Sequence, residues 1–136
     1  MFTPMGRKNL VIVVDDEPSA RCGLVRLLRA VGHDVRELAS ADEFLKALRS
    51  GTTGCVVLSA GLPGLSCEAL RAALEPHGGH VPIIVVSADD DPESRCQARE
   101  MKAACFFRKP VDGPALVDAV DWALTSNRAG GKHDKG

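Results

Sequence analysis

The sequence predicts an α/β domain in which one parallel five-stranded sheet lies between two layers of helices. Three observations lead there. Five short apolar, β-branched runs alternate with five stretches whose apolar residues recur every three or four positions. One of those runs, Cys55-Val56-Val57-Leu58, is apolar throughout and too short for a helix, as a strand covered on both faces must be. And 136 residues supply one full core but not two comfortable ones. Right-handed crossovers restrict the strand order, and the common solution at this size is the flavodoxin-like (βα)5 arrangement, order 2-1-3-4-5. Its switch point lies between the first and third strands.

The first strand runs from Asn9 to Val14 and ends in Asp15-Asp16-Glu17-Pro18. Three carboxylates are costly to leave unpaired in an interior, so they are expected at the exposed mouth of the strand. Pro18 suits a first helical turn. Leu24, Leu27, Leu28 and Val31 then recur at helical spacing, and Gly32 supplies the stop. The second strand, Asp34 to Leu38, is more polar and suits a sheet edge. Ser40-Ala41-Asp42-Glu43 has the capping-box pattern, opening a helix that buries Ala41, Phe44, Leu45 and Leu48 and closes at Gly51.

The third strand stops at Ser59, followed by the turn Ala60-Gly61-Leu62-Pro63-Gly64, and a helix from about Ser66 to Leu74 turns Ala69, Leu70, Ala73 and Leu74 inward. Val81 to Val86 is the fourth strand, ending at Ser87-Ala88. The turn Asp89-Asp90-Asp91-Pro92 is expected to cap a fourth helix reaching about Ala103. That helix is weakly amphipathic, with Cys96, Met101 and Ala103 as its best apolar residues, and a poorly anchored helix is one that can shift. Cys105 to Arg108 makes the fifth strand, Lys109-Pro110 follows, and the last helix from about Asp112 carries Leu116, Val120, Trp122, Ala123 and Leu124. The domain is thus expected over 9–126, with an extension at 1–8 and an apolar-poor flexible tail at 127–136.

Composition narrows the function. A formal net charge of -1 with scattered Lys and Arg gives no nucleic-acid footprint. No run approaches a membrane span and residues 1–8 lack a signal-peptide core, so a cytoplasmic protein is expected, with neither nucleic acid nor membrane as partner. The five cysteines show no Cys-x-x-Cys spacing and read mostly as small buried hydrophobes in a reducing compartment.

Four strand ends carry polar groups: Asp15 and Asp16, Ser59, Ser87, and Lys109 held by Pro110. Two carboxylates beside a backbone carbonyl form a hard-oxygen Mg²⁺ site, whereas a hydroxyl, a lysine and free loop amides suit phosphoryl oxygens. Any one alone reads as an ordinary solvent-facing residue. All four together do not.

The pattern resembles the receiver domain of bacterial two-component response regulators, the CheY-like family. The resemblance covers about Leu10 to Leu124 and rests on Val11 through Glu17, Leu62-Pro63-Gly64, Ile83 to Ala88, and Phe106-Phe107-Arg108-Lys109-Pro110. It implies a phosphoacceptor Asp at the end of the third strand that attacks a kinase phosphohistidine with Mg²⁺, after which the fourth helix and fifth strand are re-posed. It also implies that Asp15 and Asp16 are the acidic metal pair, that the Gly61 carbonyl completes the metal site, and that Ser87 is the switch hydroxyl. Phe106 becomes the switch aromatic and Lys109 the phosphate-contacting lysine. No enzyme is implied. The partners are a histidine kinase, a phosphotransfer protein or an output protein, bound through the face of the fourth helix, fifth strand and fifth helix.

The sequence departs from the family at its centre, where Ser59 stands in the phosphoacceptor position. A carboxylate is ionised at neutral pH, whereas a serine hydroxyl needs a base. One negative ligand fewer should weaken Mg²⁺ binding and let Lys109 pair with Asp15 or Asp16 instead. Lys102, where the family has Gly, implies an altered cap on the fourth helix; Cys67 replaces a frequent Gly, and Phe106 lacks a tyrosine hydroxyl. The leading reading is a stand-alone receiver-like protein acting by protein binding without standard Asp phosphorylation. With one domain on the chain, any effect is expected to pass through another protein. The alternatives are a conventional switch phosphorylated on Ser59, Asp15 or Asp16, an engineered Asp-to-Ser variant of one, and a small phosphatase-like hydrolase.

Overall fold

The computed structural model describes residues 10–50, 54–77, 81–88 and 92–128. Five strands alternate with five helices: β1 (Leu10–Val14), α1 (Pro18–Ala30), β2 (Asp34–Leu38), α2 (Ala41–Ser50), β3 (Cys55–Ser59), α3 (Cys67–Leu74), β4 (Ile83–Ser87), α4 (Pro92–Glu100), β5 (Cys105–Arg108) and α5 (Gly113–Arg128). The strands are all parallel in the order β2-β1-β3-β4-β5, the flavodoxin-like arrangement expected from the sequence. A polar strand does lie at one edge: β2 buries only Val35 and Leu38.

Successive side chains of a strand point to opposite faces, so one sheet builds two cores. Ile12, Val14, Val56, Leu58, Ile83 and Val85 meet Phe44 and Leu48 of α2, Leu70 and Ala73 of α3 and Ala98 of α4. Val11, Val13, Cys55, Val57, Ile84 and Val86 meet Leu24, Val25 and Leu28 of α1 and Leu116, Val120 and Ala123 of α5. All five residues of β3 and of β4 are buried, and this makes them continuous apolar runs rather than alternating ones.

Local chemistry sets the ends. The Ser40 hydroxyl accepts from the Glu43 amide at 3.2 Å while the Glu43 carboxylate accepts from the Ala39 amide at 3.0 Å, closing the expected box one residue further back. The Ser66 hydroxyl caps α3 by accepting from the Ala69 amide at 3.0 Å. Two helices end in the same Schellman geometry. After α1, the His33 and Gly32 amides donate to the Leu28 and Arg29 carbonyls, with Gly32 at φ 98°. After α4, the Ala103 and Lys102 amides donate to the Ala98 and Arg99 carbonyls, with Lys102 at φ 59°. The cap is therefore kept, and a side chain occupies the left-handed position.

Several expectations are corrected. That left-handed turn ends α4 at Glu100 rather than near Ala103. Cys96 is exposed, and the helix is anchored instead by Ala98, with Met101 buried just past its end. Val31, in the cap of α1, is 50% exposed, and Trp122 of α5 is 57% exposed beside buried Ala123 and Leu124. β4 begins at Ile83 because Pro82 has no amide proton to give, although its carbonyl accepts from Val56. α5 continues to Arg128, past the expected boundary at 126. Asn9, Gly51, the turn 89–91, the extension at 1–8 and all but the first two residues of the expected tail lie outside the described residues.

Candidate functional site

The sheet delivers its polar strand ends to one edge, between β1 and β3, where the strand order reverses direction. Asp15 follows β1 directly and is 1% exposed, so the three carboxylates do not all lie at an exposed mouth. It tolerates burial because it is fully partnered. Its Oδ2 lies 2.9 Å from Lys109 Nζ and its Oδ1 accepts from the Glu17 amide at 3.0 Å. Its backbone is held too: the Asp15 amide donates to the Leu38 carbonyl, and the Asp15 carbonyl accepts from Arg21 Nη1 at 2.8 Å. Lys109 is fixed from behind, its amide donating to the Ser87 carbonyl at 2.8 Å. The pair thus ties the end of β1 to the end of β5 across the mouth of the pocket.

Ser59 and Ser87 are both buried, at the ends of β3 and β4. Ser59 sits in register with Val86, and the next amide, Ala60, donates to the Val86 carbonyl. Among the described residues the Ser59 hydroxyl is seen to reach the Ala60 carbonyl at 3.5 Å, the outer limit of a hydrogen bond. Asp16 is exposed and does not join the Asp15–Lys109 pair. Gly61, at φ 76°, uses the left-handed freedom of glycine, and its amide donates to Gln97 Oε1 of α4 at 3.2 Å. Phe106 is half-buried on β5 beneath the Arg95 guanidinium, 4.8 Å from the ring centre. A groove of about 260 Å³ beside it runs between α4 and β5, lined by Arg95, Arg99, Ala104 and Phe106 among others.

Glu17 caps α1, accepting from the Ala20 amide at 3.1 Å and from the Ser19 hydroxyl at 2.8 Å. The Ser19 hydroxyl first, then the Ala20 amide, hold its carboxyl below the usual carboxylate range, and the Lys109 charge adds to this. Arg21, which also meets Glu37 at 3.3 Å, Gln97 and Arg95 were not singled out in the sequence. Arg21 lies in line with the buried Leu24, Val25 and Leu28 of α1, and Gln97 and Arg95 lie on α4 within three residues of buried Ala98. A polar residue at such a place reads in the sequence as the edge of a helix face, and nothing in its neighbours along the chain marks it as a site residue.

A hard divalent cation needs several oxygen ligands with lone pairs to spare. Asp15 has one carboxylate oxygen on an ammonium and the other on an amide, Ser59 supplies no charge, and among the described residues no group of three or more His, Cys, Asp or Glu side chains is placed to hold a metal. In this arrangement the residues do not fit a Mg²⁺ cage.

A model of the response regulator receiver domain matches residues 11–121. The chain belongs to that family. Receiver domains are signalling modules of two-component systems, not enzymes, which disposes of the hydrolase alternative. The chain is similar to transcriptional regulatory protein TdiR of Thauera aromatica, 42% identical over 126 residues that make up 93% of this chain and 56% of TdiR. The same region resembles full-length FixJ from B. japonicum, with TM-score 0.79 and 27% identity over 93% of this chain and 63% of that one. It also has the fold of the receiver domain of sensor histidine kinase PA1611 from Pseudomonas aeruginosa PAO1, with TM-score 0.77 and 18% identity over 87% of this chain and 98% of that one; that domain has a magnesium ion coordinated in its active site cleft. The chain spans little more than half the length of TdiR, a protein named for transcriptional regulation, and the expectation of no nucleic-acid partner finds no support in that likeness. No helix of the described residues is long and apolar enough to cross a membrane.

Proposed function

We propose that this receiver domain signals without standard aspartyl phosphorylation, with Ser59 in the phosphoacceptor position, and that it acts by binding a protein partner through α4, β5 and α5. The observation that carries the reading is the Lys109–Asp15 pair at 2.9 Å, in a pocket whose third strand end is a neutral hydroxyl. Lys109 would contact phosphate in the family; here it neutralises the buried carboxylate of its own chain. Asp15, so engaged, is a poor base for the Ser59 proton, and a hydroxyl without a base is a weak nucleophile. With one carboxylate fewer than the family pocket, Mg²⁺ is bound weakly, and the internal ion pair does the metal's charge balancing. Asp16 and the Gly61 carbonyl remain as outer ligands of that weak site, with Ser87 and Phe106 at the switch positions.

The partner face is supported by what it exposes. Arg95, Arg99 and Arg108 line it, and Trp122 of α5 is the largest exposed apolar side chain among the described residues. Aromatic and arginine side chains are the usual anchors of protein interfaces. A histidine kinase, a phosphotransfer protein or an output protein are the partner classes the family uses.

The test is incubation with a small acyl phosphate and Mg²⁺, followed by intact mass. The unmodified mass is expected. An adduct that survives mild base would place phosphate on Ser59, and one that is lost in mild base would place it on Asp15 or Asp16; either result refutes the proposal.

A further inference from the structure

Two of the five cysteines face a common neighbour across the α3–α4 boundary. Cys67 is the first residue of α3, held in place by the Ser66 cap, and its Sγ lies 3.7 Å from Glu100 Oε1 of α4. Cys96 lies four residues before Glu100 on the same helix, and side chains at that spacing are neighbours on one face. Both thiols are accessible, Cys96 being exposed and Cys67 half-buried. A second contact pins the same stretch, since Gln97 of α4 takes the Gly61 amide just upstream of α3.

We propose that Cys67 and Cys96 are a thiol pair that closes reversibly into a disulfide, stapling α4 to the start of α3 when peroxide is present. Closure needs the two Cα atoms within about 7 Å of each other. A roll of α4 toward that range disturbs little packing, because Ala98 is the one residue of the helix that is buried. Burial, and then the Glu100 carboxylate, push the Cys67 thiol up, with a smaller contribution from Cys96 itself. Cys67 is therefore the slower, resolving thiol and the exposed Cys96 is the one that peroxide meets. Hydrogen peroxide converts the Cys96 thiol to a sulfenic acid and is itself reduced to water. The Cys67 sulfur then attacks the Cys96 sulfur; the S–S bond forms as the S–O bond breaks, and the hydroxyl leaves with the Cys67 proton as a second water. Two thiols and one peroxide give one disulfide and two waters, and a small thiol reverses the bond by exchange.

The other cysteines are placed differently. Cys55 is fully buried in β3, its thiol pushed up to about 12 by desolvation, and it packs with the α1 and α5 side of the sheet together with Cys105, whereas Cys67 packs with the opposite side. Cys22 lies on α1, which covers that same far face. Only the signalling consequence, an α4 that can no longer shift, rests on the role proposed above for the α4 face. Closure itself is read without reference to phosphate.

The full chain is treated with a few equivalents of hydrogen peroxide, alkylated, and digested without reductant. The expected product is a monomer lighter by about 2 Da, the two hydrogens lost in one disulfide, with the Cys67 and Cys96 peptides joined and the bridge reopened by a small thiol. Cys67→Ser and Cys96→Ser, both substitutions at accessible positions, should each abolish the bridge while leaving the fold intact by circular dichroism. Hydrogen exchange in α4 should slow in the oxidised chain and return to its starting rate on reduction. Five thiols still free after oxidation, a bridge joining other cysteines, or a link between two chains would overturn the proposal.

Discussion

Restoring a carboxylate at the end of β3 perturbs the pocket at its most informative point. Asp15, Asp16 and Lys109 together carry one net negative charge; Ser59→Asp makes it two, at a residue 8% exposed and next to a strand whose Asp15 is 1% exposed. A like charge at roughly 4 Å costs up to about 4 kcal/mol at an effective dielectric of ~20, and relaxation toward solvent or partial protonation leaves about 1–3 kcal/mol. The variant should therefore unfold at lower urea than the Ser59 chain when metal is chelated. The third carboxylate also completes a hard-oxygen ligand set, so Mg²⁺ should return part of the loss. At ~10 mM Mg²⁺ and a dissociation constant of about 1 mM, mass action supplies about 1.4 kcal/mol. Urea melts of both proteins, with and without Mg²⁺ at matched ionic strength, read this directly. The expected pattern is a flat response for Ser59 and a gain of about 1 kcal/mol or more for Ser59→Asp. Equal gains for the two proteins, or no penalty for the variant in chelator, would refute the reasoning.

Three further outcomes are expected. Lys109→Met leaves the buried Asp15 without its ammonium partner and should cost about 2–3 kcal/mol by denaturation, less than for a fully buried pair because Lys109 is 23% exposed; an unchanged midpoint would mean the pair is incidental. Lys102→Gly keeps the cap seen after α1 but removes a side chain from φ 59°, and should stabilise the domain by about 0.5–1 kcal/mol. The Glu17 carboxyl is lowered in the folded state, so its contribution is present above the ordinary carboxylate range and drains as pH falls through the lowered value. Glu17→Gln should flatten that acid limb and leave neutral-pH melts of the two proteins parallel in shape.

The fold was legible because apolar period and turn chemistry agree at every step. β3 and β4 are unbroken apolar runs, Ser40 and Ser66 stand where caps are needed, and Gly32 occupies a position that only a left-handed residue fills. What misled was side-chain direction within two helices. Trp122 and Cys96 count as apolar in a periodic pattern, yet Trp122 lies a third of a turn off the buried stripe of α5, and α4 turns Ala98 inward instead. The site was legible as a set of strand ends, and the choice of Lys109 partner was left between Asp15 and Asp16. Geometry favours Asp15 because it directly follows β1 and points inward, whereas Asp16, one residue on, faces solvent. Gln97 and Arg95 could not be found in the sequence: each acts through a contact made only when α4 is laid against β3 and β5.

The most direct test of an internal ion pair in place of the metal is a Mg²⁺ titration followed by amide NMR of Asp15, Ser59, Gly61 and Lys109. These amides sit at the ends of β1, β3 and β5 that would surround a cation, unlike exposed Trp122, whose fluorescence has little to sense there. The account calls for small, linear, non-saturating shifts across the physiological range of Mg²⁺. Saturating shifts centred on those four residues within that range would contradict it.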